Sequence, residues 1–247
     1  NLAVYSLRSY ARTFGYEPEL LEFTINQQKD QILKGIYEAK PDLLCFSCYI
    51  WNLSYAEEII EDIKKILPKV TIWAGGPEVS YDAPKFLKRH PEVDGIMCAE
   101  GEKTLTELIS YYEIGKSQGK SLDGINGIVY QENKTIHQTP LRDIMNMDDL
   151  VFPYEDKIIY YESSRGCPFS CSYCLSSIDK KLRFRSFSLV EKELEFFLAH
   201  KVPQVKFVDR TFNCKKSHAM AIWTYIKEHD NGITNFHFEV AADLLTE

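Results

Sequence analysis

Apolar positions along the chain follow two recurring patterns. Asp42-Leu43-Leu44-Cys45-Phe46-Ser47-Cys48-Tyr49, Val70-Thr71-Ile72-Trp73-Ala74 and Gly95-Ile96-Met97-Cys98 are short, almost unbroken apolar runs, the mark of strands covered on both faces. Between them the apolar positions recur at helical spacing, which predicts helices over 2–14, 27–39, 54–67, 83–90 and 104–112. Asn1 is placed to cap the first of these, and Gly15 to end it in the left-handed conformation. Ser54 and Glu57 have the spacing of a capping box, and Pro68 closes that helix. Glu19–Thr24 reads as one further short strand. Strands and helices alternating in this way predict an α/β, Rossmann-like doubly wound parallel sheet, with ligands bound off the carboxyl ends of the strands.

Three turns fall at those ends: Ser47-Cys48-Tyr49, Gly75-Gly76-Pro77 and Ala99-Glu100-Gly101-Glu102. A Gly-Gly turn lets backbone approach a ligand with no Cβ in the way, although a tight strand-to-helix turn alone can demand the same pair. Beyond them the pattern changes. Residues 127–138 read as a β-hairpin turning at Asn133, an edge ribbon or insertion with His137 on its surface. Residues 143–154 have no clear period and read as a packed linker. Strand 158–163, helix 188–200 opened by a Ser188…Glu191 capping box, strand 204–209, helix 215–229 and strand 235–240 then give part of a β/α barrel, whose active site lies at the carboxyl strand ends. The domains expected are 1–122, a ribbon and linker over 123–156, and 157–247. Opening on a capped helix and stopping just after a strand, the chain reads as a piece of a longer protein, with a first strand before Asn1 and the later barrel strands outside it.

Composition narrows the class only slightly. The 247 residues are 45% apolar and carry a net charge of −7, which argues against a broad nucleic-acid footprint. No apolar run approaches the roughly 20 residues of a membrane span, and no signal peptide is visible. Seven cysteines are an odd number, and fit a reducing cytoplasm better than a disulfide scaffold.

The densest chemistry is the run Glu162-Ser163-Ser164-Arg165-Gly166-Cys167-Pro168-Phe169-Ser170-Cys171-Ser172-Tyr173-Cys174. Thiolates are soft ligands for iron or zinc, and Cys167, Cys171 and Cys174 lie close enough in sequence to converge on one centre. A closed structural zinc site takes four protein ligands, so three leave a coordination position open, unless a distant His or Cys completes a zinc knuckle. Cys45 and Cys48, three apart on a strand, point to opposite faces and read with Cys98 as core thiols. Lys180, Lys181, Arg183 and Arg185 are either a solvated loop or a source of charge, with Arg183 or Arg185 offsetting thiolates or a carboxylate. Cys214 is expected to be an ordinary thiol beyond a strand end.

The C-x3-C-x-aromatic-C spacing after a strand, with Tyr173 in the aromatic slot, resembles the cluster loop of radical S-adenosylmethionine enzymes. The first half is similar to the cobalamin-binding domain found ahead of many of them: Ser47 stands where that family has a serine after a strand, and Gly75-Gly76 where it has its Gly-Gly. The resemblance implies that Cys167, Cys171 and Cys174 hold a 4Fe–4S cluster whose open iron takes S-adenosylmethionine. It also implies that Tyr173, Asp209 and Glu239 face that cosubstrate, Asp209 at its amine. Ser47, Gly75 and Gly76, together with Tyr49, Glu100 and Gly101, would line the cobalamin slot, with Trp51 or Tyr49 near the cobalt face. The family's Asp-x-His-x-x-Gly cobalt-ligand loop has no counterpart here. Radical cleavage of S-adenosylmethionine, cobalamin-dependent methyl transfer or rearrangement, a small-molecule substrate and an external one-electron reductant such as a flavodoxin or ferredoxin are what this family implies. A methylthiotransferase-like enzyme with a second cluster on Cys45 or Cys48 and Cys98, and a non-enzymatic zinc-binding module, are the alternatives.

Overall fold

Each apolar run becomes a strand only where a neighbour supplies its hydrogen bonds and helices cover both its faces. The computed structural model describes residues 2–152, 158–177 and 181–245. Asn1, Lys180 and the Pro153-Tyr154 end of the expected linker lie outside them. The chain forms two compact units, Ala3–Ile144 and Met145–Glu247.

In the first unit, α1 (Leu2–Arg12) and α2 (Lys29–Ala39) precede β1 (Leu43–Ser47), and α3 (Leu53–Ile66) leads to β2 (Thr71–Gly75). The short α4 (Pro77–Ser80) and α5 (Ala83–Arg89) lead to β3 (Gly95–Met97), and α6 (Glu102–Ser110) runs into a π turn at Tyr111–Gly115. β1, β2 and β3 are parallel in that order, and the register aligns Ser47 with Gly75 and Gly75 with Met97. The three strand ends are therefore level. The expected ribbon, β4 (Ile128–Glu132) and β5 (Thr135–Gln138), continues this sheet antiparallel to β3.

Period-2 alternation sorts the side chains to two cores. Ile72, Ala74, Ile96 and Val129 join α2, α3 and α5 on one face through Ile36, Ile60, Ile63 and Phe86. Trp73, Met97, Ile128 and Tyr130 join Leu105 and Leu108 of α6 on the other. Burial of this kind is worth about 25 cal/mol per Å² of apolar surface. It explains why these strands read as continuous apolar runs.

Two expectations fail here for local reasons. Glu19–Thr24 pairs with no strand. Its apolar residues Leu21 and Phe23 remain 37% and 36% exposed, so neither a ladder nor a core holds it as a strand. Ser54 does not cap α3, which begins one residue earlier behind Asn52. The Asn52 amide donates to the Ser47 carbonyl at 2.8 Å, and its Oδ1 accepts from the Tyr49 N–H at 2.7 Å. Ser54 is already the second residue of α3 and so cannot stand at its cap.

In the second unit, β6 (Ile159–Tyr161) is followed by a two-stranded ribbon of β7 (Ser164–Arg165) and β8 (Arg183–Phe184). Then come α7 (Phe187–Ala199), β9 (Gln204–Phe207), α8 (Lys216–Glu228) and β10 (Asn235–His237). β6, β9 and β10 form a parallel sheet with β9 central, and the strands are shorter than the apolar runs suggested. The core is aromatic: Tyr161, Phe197, Phe207 and Phe212 are essentially inaccessible and packed edge to face, an arrangement ring quadrupoles favour. α7 starts behind Ser186 rather than at the expected Ser188 box, and the Ser186 N–H donates to Asp148 Oδ1 at 2.7 Å. No helix among the described residues is long and apolar enough to cross a membrane.

The level strand ends depend on Gly76. Its φ is +112°, and a Cβ there would sit 2.2 Å from the Cys48 carbonyl oxygen. Gly119 also has positive φ, +75°, but faces open space. We expect Gly76→Ala to cost roughly 3 kcal/mol or more, and Gly119→Ala only about 1, in urea denaturation. Equal costs would show that the close approach to Cys48 is not what demands glycine.

Candidate cofactor sites

At the carboxyl edge of the first sheet, the alignment of Ser47, Gly75 and Met97 brings three turns side by side. The first is held by Asn52, which sequence reasoning missed, although an Asn directly ahead of a helix is itself a capping signal. It is also tied to the second turn, since the Cys48 N–H donates to the Gly75 carbonyl at 2.7 Å. Tyr49 stacks on Trp51 with centroids 4.6 Å apart and planes 6° from parallel, and Trp51 is 64% exposed. In the third turn, Ala99 takes φ +61° and Gly101 stands at the start of α6. Half-buried Glu100 accepts from the Thr104 hydroxyl through its carbonyl at 3.5 Å.

The two adjacent glycines have different causes. Gly76 is required by its own backbone and by Cys48. At Gly75 a Cβ would meet only ordinary contacts, the nearest being Met97 at 3.6 Å. The chain's own packing leaves that side chain optional, so a backbone-hugging ligand is a sufficient reason for it. The polar, narrow-sided residues at this edge fit the nucleotide tail of a cobalamin. Cys48 and Cys98 are buried, with burial pushing their thiols up to about 12 and about 11, while Cys45 is exposed. Cys45, expected as a core thiol, is therefore not one, and Cys48 lies past the end of β1 at Ser47, so the two do not sit on opposite faces of one strand.

The second site is the cysteine loop, residues 166–182, closed at its neck by the β7–β8 ribbon. Gly166 makes the neck possible: its φ is +97°, and a Cβ would lie 2.6 Å from the Lys181 carbonyl oxygen. Cys167 is buried, Cys174 half-buried and Cys171 exposed, with the Cys174 N–H donating to the Cys171 carbonyl at 3.1 Å. Tyr173 is 91% exposed. Three thiols on one loop are a donor set that fits an iron–sulfur cluster better than oxygen-seeking metals, although the sulfurs of Cys167, Cys171 and Cys174 do not all lie within 4.8 Å of one another here. Among the described residues, the only three His, Cys, Asp or Glu side chains whose ligand atoms all approach within 4.8 Å are Glu61, His90 and Glu92. There His90 is already paired to Glu57 and Glu92 at 3.1 and 3.2 Å.

Both feet of the loop are anchored by buried polar groups. On one side Asp209, just past β9, is wholly inaccessible. Its carboxylate accepts from the Ser163 N–H at 3.2 Å, from the Ser163 hydroxyl at 2.8 Å and from the Ser164 hydroxyl. Asp209 was expected to receive the amine of S-adenosylmethionine; instead it is turned inward and saturated by the chain. Ser163 also lies 3.1 Å from His218 Nε2 of α8. On the other side Arg185, next after β8, pairs with Glu193 and donates to the Met147 and Leu150 carbonyls at 3.0 and 3.1 Å. Tyr161 completes that cluster by donating to Glu193 at 2.5 Å. The carboxylate expected as one partner of Arg185 is thus Glu193. Arg183 donates to the Met145 carbonyl at 3.0 Å. Glu239 is exposed, while its carbonyl accepts from the Phe212 N–H at 3.0 Å. Cys214 is half-buried, with its thiol raised by burial and then by Asp209 and Cys167. Sequence reasoning missed Ser163, Ser164 and His218, since no spacing in the chain links a strand end to a helix 55 residues later.

The comparisons with known proteins agree with both halves. Residues 1–109 match the B12-binding domain model. The cobalamin-dependent radical SAM methyltransferase TokK of Streptomyces tokunonensis is 29% identical over 212 residues, covering 79% of this chain and 30% of that protein. An uncharacterised methyltransferase of Pyrococcus horikoshii is 29% identical over 213 residues, covering 80% of this chain and 46% of that protein. The apo cobalamin-dependent S-adenosylmethionine radical enzyme OxsB superposes on the whole chain with a TM-score of 0.77 at 23% identity, over 37% of its own length. This chain thus spans less than half of each of these proteins. Its fold is a B12-binding, Rossmann-like α/β unit followed by a parallel β/α unit that carries a three-cysteine loop. Over most of its length the chain is similar to a cobalamin-dependent radical S-adenosylmethionine methyltransferase, and its first 109 residues match the B12-binding domain.

The Asp209–Ser163–His218 cluster makes a pH prediction with two opposing signs. Burial raises the Asp209 carboxyl to about 6 from an ordinary 3.8. Its stabilisation is therefore complete below ~4 and is lost as pH rises through 6. Burial, and then Lys215, lowers His218 to about 4 from 6.5. Its contribution is present above 6.5 and is lost as pH falls toward 4. The two offset each other in the native chain. Asp209→Asn should leave a stability that rises between pH 4 and 6.5, and His218→Gln one that falls from pH 4 to 6, in denaturation series across that range. Parallel pH profiles for the two variants would contradict the assignment.

Proposed function

We propose that this chain is the cofactor-binding front part of a cobalamin-dependent radical S-adenosylmethionine enzyme, and that the whole protein transfers a methyl group to an unactivated carbon of a small-molecule substrate. The observation that carries the reading is the three-cysteine loop clamped at the carboxyl end of β6, in a chain whose first 109 residues match a B12-binding domain. A bound 4Fe–4S cluster would supply the electron that cleaves S-adenosylmethionine reductively, and bound cobalamin the methyl group, with the electron coming from a flavodoxin- or ferredoxin-like donor.

The residues divide into holding and positioning roles. Cys167, Cys171 and Cys174 would ligate three irons and leave the fourth open to the amine and carboxylate of S-adenosylmethionine. Tyr173 and Glu239, both exposed, are left to face that cosubstrate. Asp209 acts behind them, fixing the loop through Ser163 and Ser164. At the other edge Ser47 and Gly75 would line the nucleotide tail, Gly76 would shape the turn beneath it, and Glu100 and Gly101 would border it. The stacked Tyr49–Trp51 pair offers an aromatic face beside them. Rearrangement or cyclisation would use the same residues, and methyl transfer is preferred because TokK and the Pyrococcus horikoshii protein are both named methyltransferases.

Anaerobic reconstitution of the full-length protein with iron and sulfide tests this directly. We expect broad visible iron–sulfur absorption, lost or greatly reduced in Cys171→Ala, whose thiol is exposed and has little part in folding. Added cobalamin should co-elute with the protein. A colourless protein holding stoichiometric zinc would contradict the reading, and about twice the iron of one cluster would favour the methylthiotransferase-like alternative.

A further inference from the structure

Thr211, two residues beyond Asp209, is only 6% exposed. Its Oγ1 lies 3.6 Å from the Cys167 sulfur, an ordinary distance for a hydrogen bond to sulfur. A buried hydroxyl needs a partner, because leaving one unmade costs about 1–3 kcal/mol. Between a thiol and a hydroxyl either atom can donate. A metal-bound thiolate has no proton and can only accept, so there the threonine must be the donor. The threonine is also held firmly. Its carbonyl accepts from the Cys214 N–H at 3.1 Å, and the next residue, Phe212, is fully buried and bonded to the Glu239 carbonyl.

We propose that Thr211 donates a hydrogen bond to the Cys167 sulfur in the cluster-bound protein and raises the reduction potential of the cluster. This deepens the function proposed above and rests on it. A donor to a ligating sulfur withdraws charge from it, and so favours the reduced, more negative cluster over the oxidised one. One electron from the external reductant is added, with no bond made or broken at Thr211. Thr211 is a positioning and tuning residue that touches no substrate.

The test is a potentiometric titration of the reconstituted full-length protein, followed by the electron paramagnetic resonance signal of the reduced cluster, for native, Thr211→Val and Thr211→Ser proteins. Thr211→Val is nearly isosteric and should keep its iron content while its midpoint moves to lower potential. Thr211→Ser keeps the hydroxyl and should stay near the native midpoint. Should Thr211→Val fail to fold, Thr211→Ala measured against Thr211→Ser makes the same comparison. A valine or alanine variant with full cluster content and an unmoved midpoint overturns the inference and leaves the cluster reading intact. So does a serine variant shifted as far as alanine. A native protein that forms no cluster overturns both.

Discussion

The carboxylate of Asp209, withdrawn from water and held by three donors from Ser163 and Ser164, joins the end of β9 to the start of the cysteine loop. An isolated carboxylate cannot be buried in this way, since its desolvation would cost far more than one hydrogen bond returns. The bonds from Ser163 and Ser164 are what allow it. They also fix the backbone on which Cys167 stands a few residues later. Arg185, Glu193 and Tyr161 do the same at the loop's other foot, with the guanidinium reaching two backbone carbonyls. Removing one member of such a buried pair typically costs about 3–5 kcal/mol, because it leaves its partner's charge buried alone. The loop therefore has an anchored base, while Cys171 and Tyr173 on it are exposed.

A related economy governs the first unit. Apolar side chains sent alternately to two helical layers fix the register of β1, β2 and β3, and the register sets their ends level. A slip of one residue would turn every inward side chain outward, so the alignment of Ser47, Gly75 and Met97 is enforced by the whole core. Gly76 and Asn52 then shape the turns at those ends. One does so by having no side chain where the Cys48 carbonyl passes, the other by bonding both ends of the Ser47–Tyr49 turn.

The parallel strands, the principal helices and the cysteine loop were legible in the chain because each leaves a local trace: an unbroken apolar run, a 3.6-residue period, a fixed cysteine spacing. Glu19–Thr24 failed because a strand also needs a partner, which no local pattern supplies. The helix caps at Ser54 and Ser188 failed because α3 and α7 begin at Leu53 and Phe187, which leaves both serines inside the first turn. Asp209 could be assigned to the strand end, but its direction could not be read, since the serines that claim it lie more than 40 residues earlier. The same holds for Thr211 and His218. Contacts between the ends of neighbouring parallel strands are set by the crossover between them, and the crossover leaves no signal at either end.

The central claim is that the three-cysteine loop holds a cluster with one iron left open to S-adenosylmethionine. The most direct measurement is the electron paramagnetic resonance spectrum of the reduced, reconstituted full-length protein before and after S-adenosylmethionine is added. The account predicts a low-temperature signal of a reduced 4Fe–4S cluster whose g-values shift on addition, because the cosubstrate becomes a ligand. A cluster signal that S-adenosylmethionine leaves unchanged would contradict it.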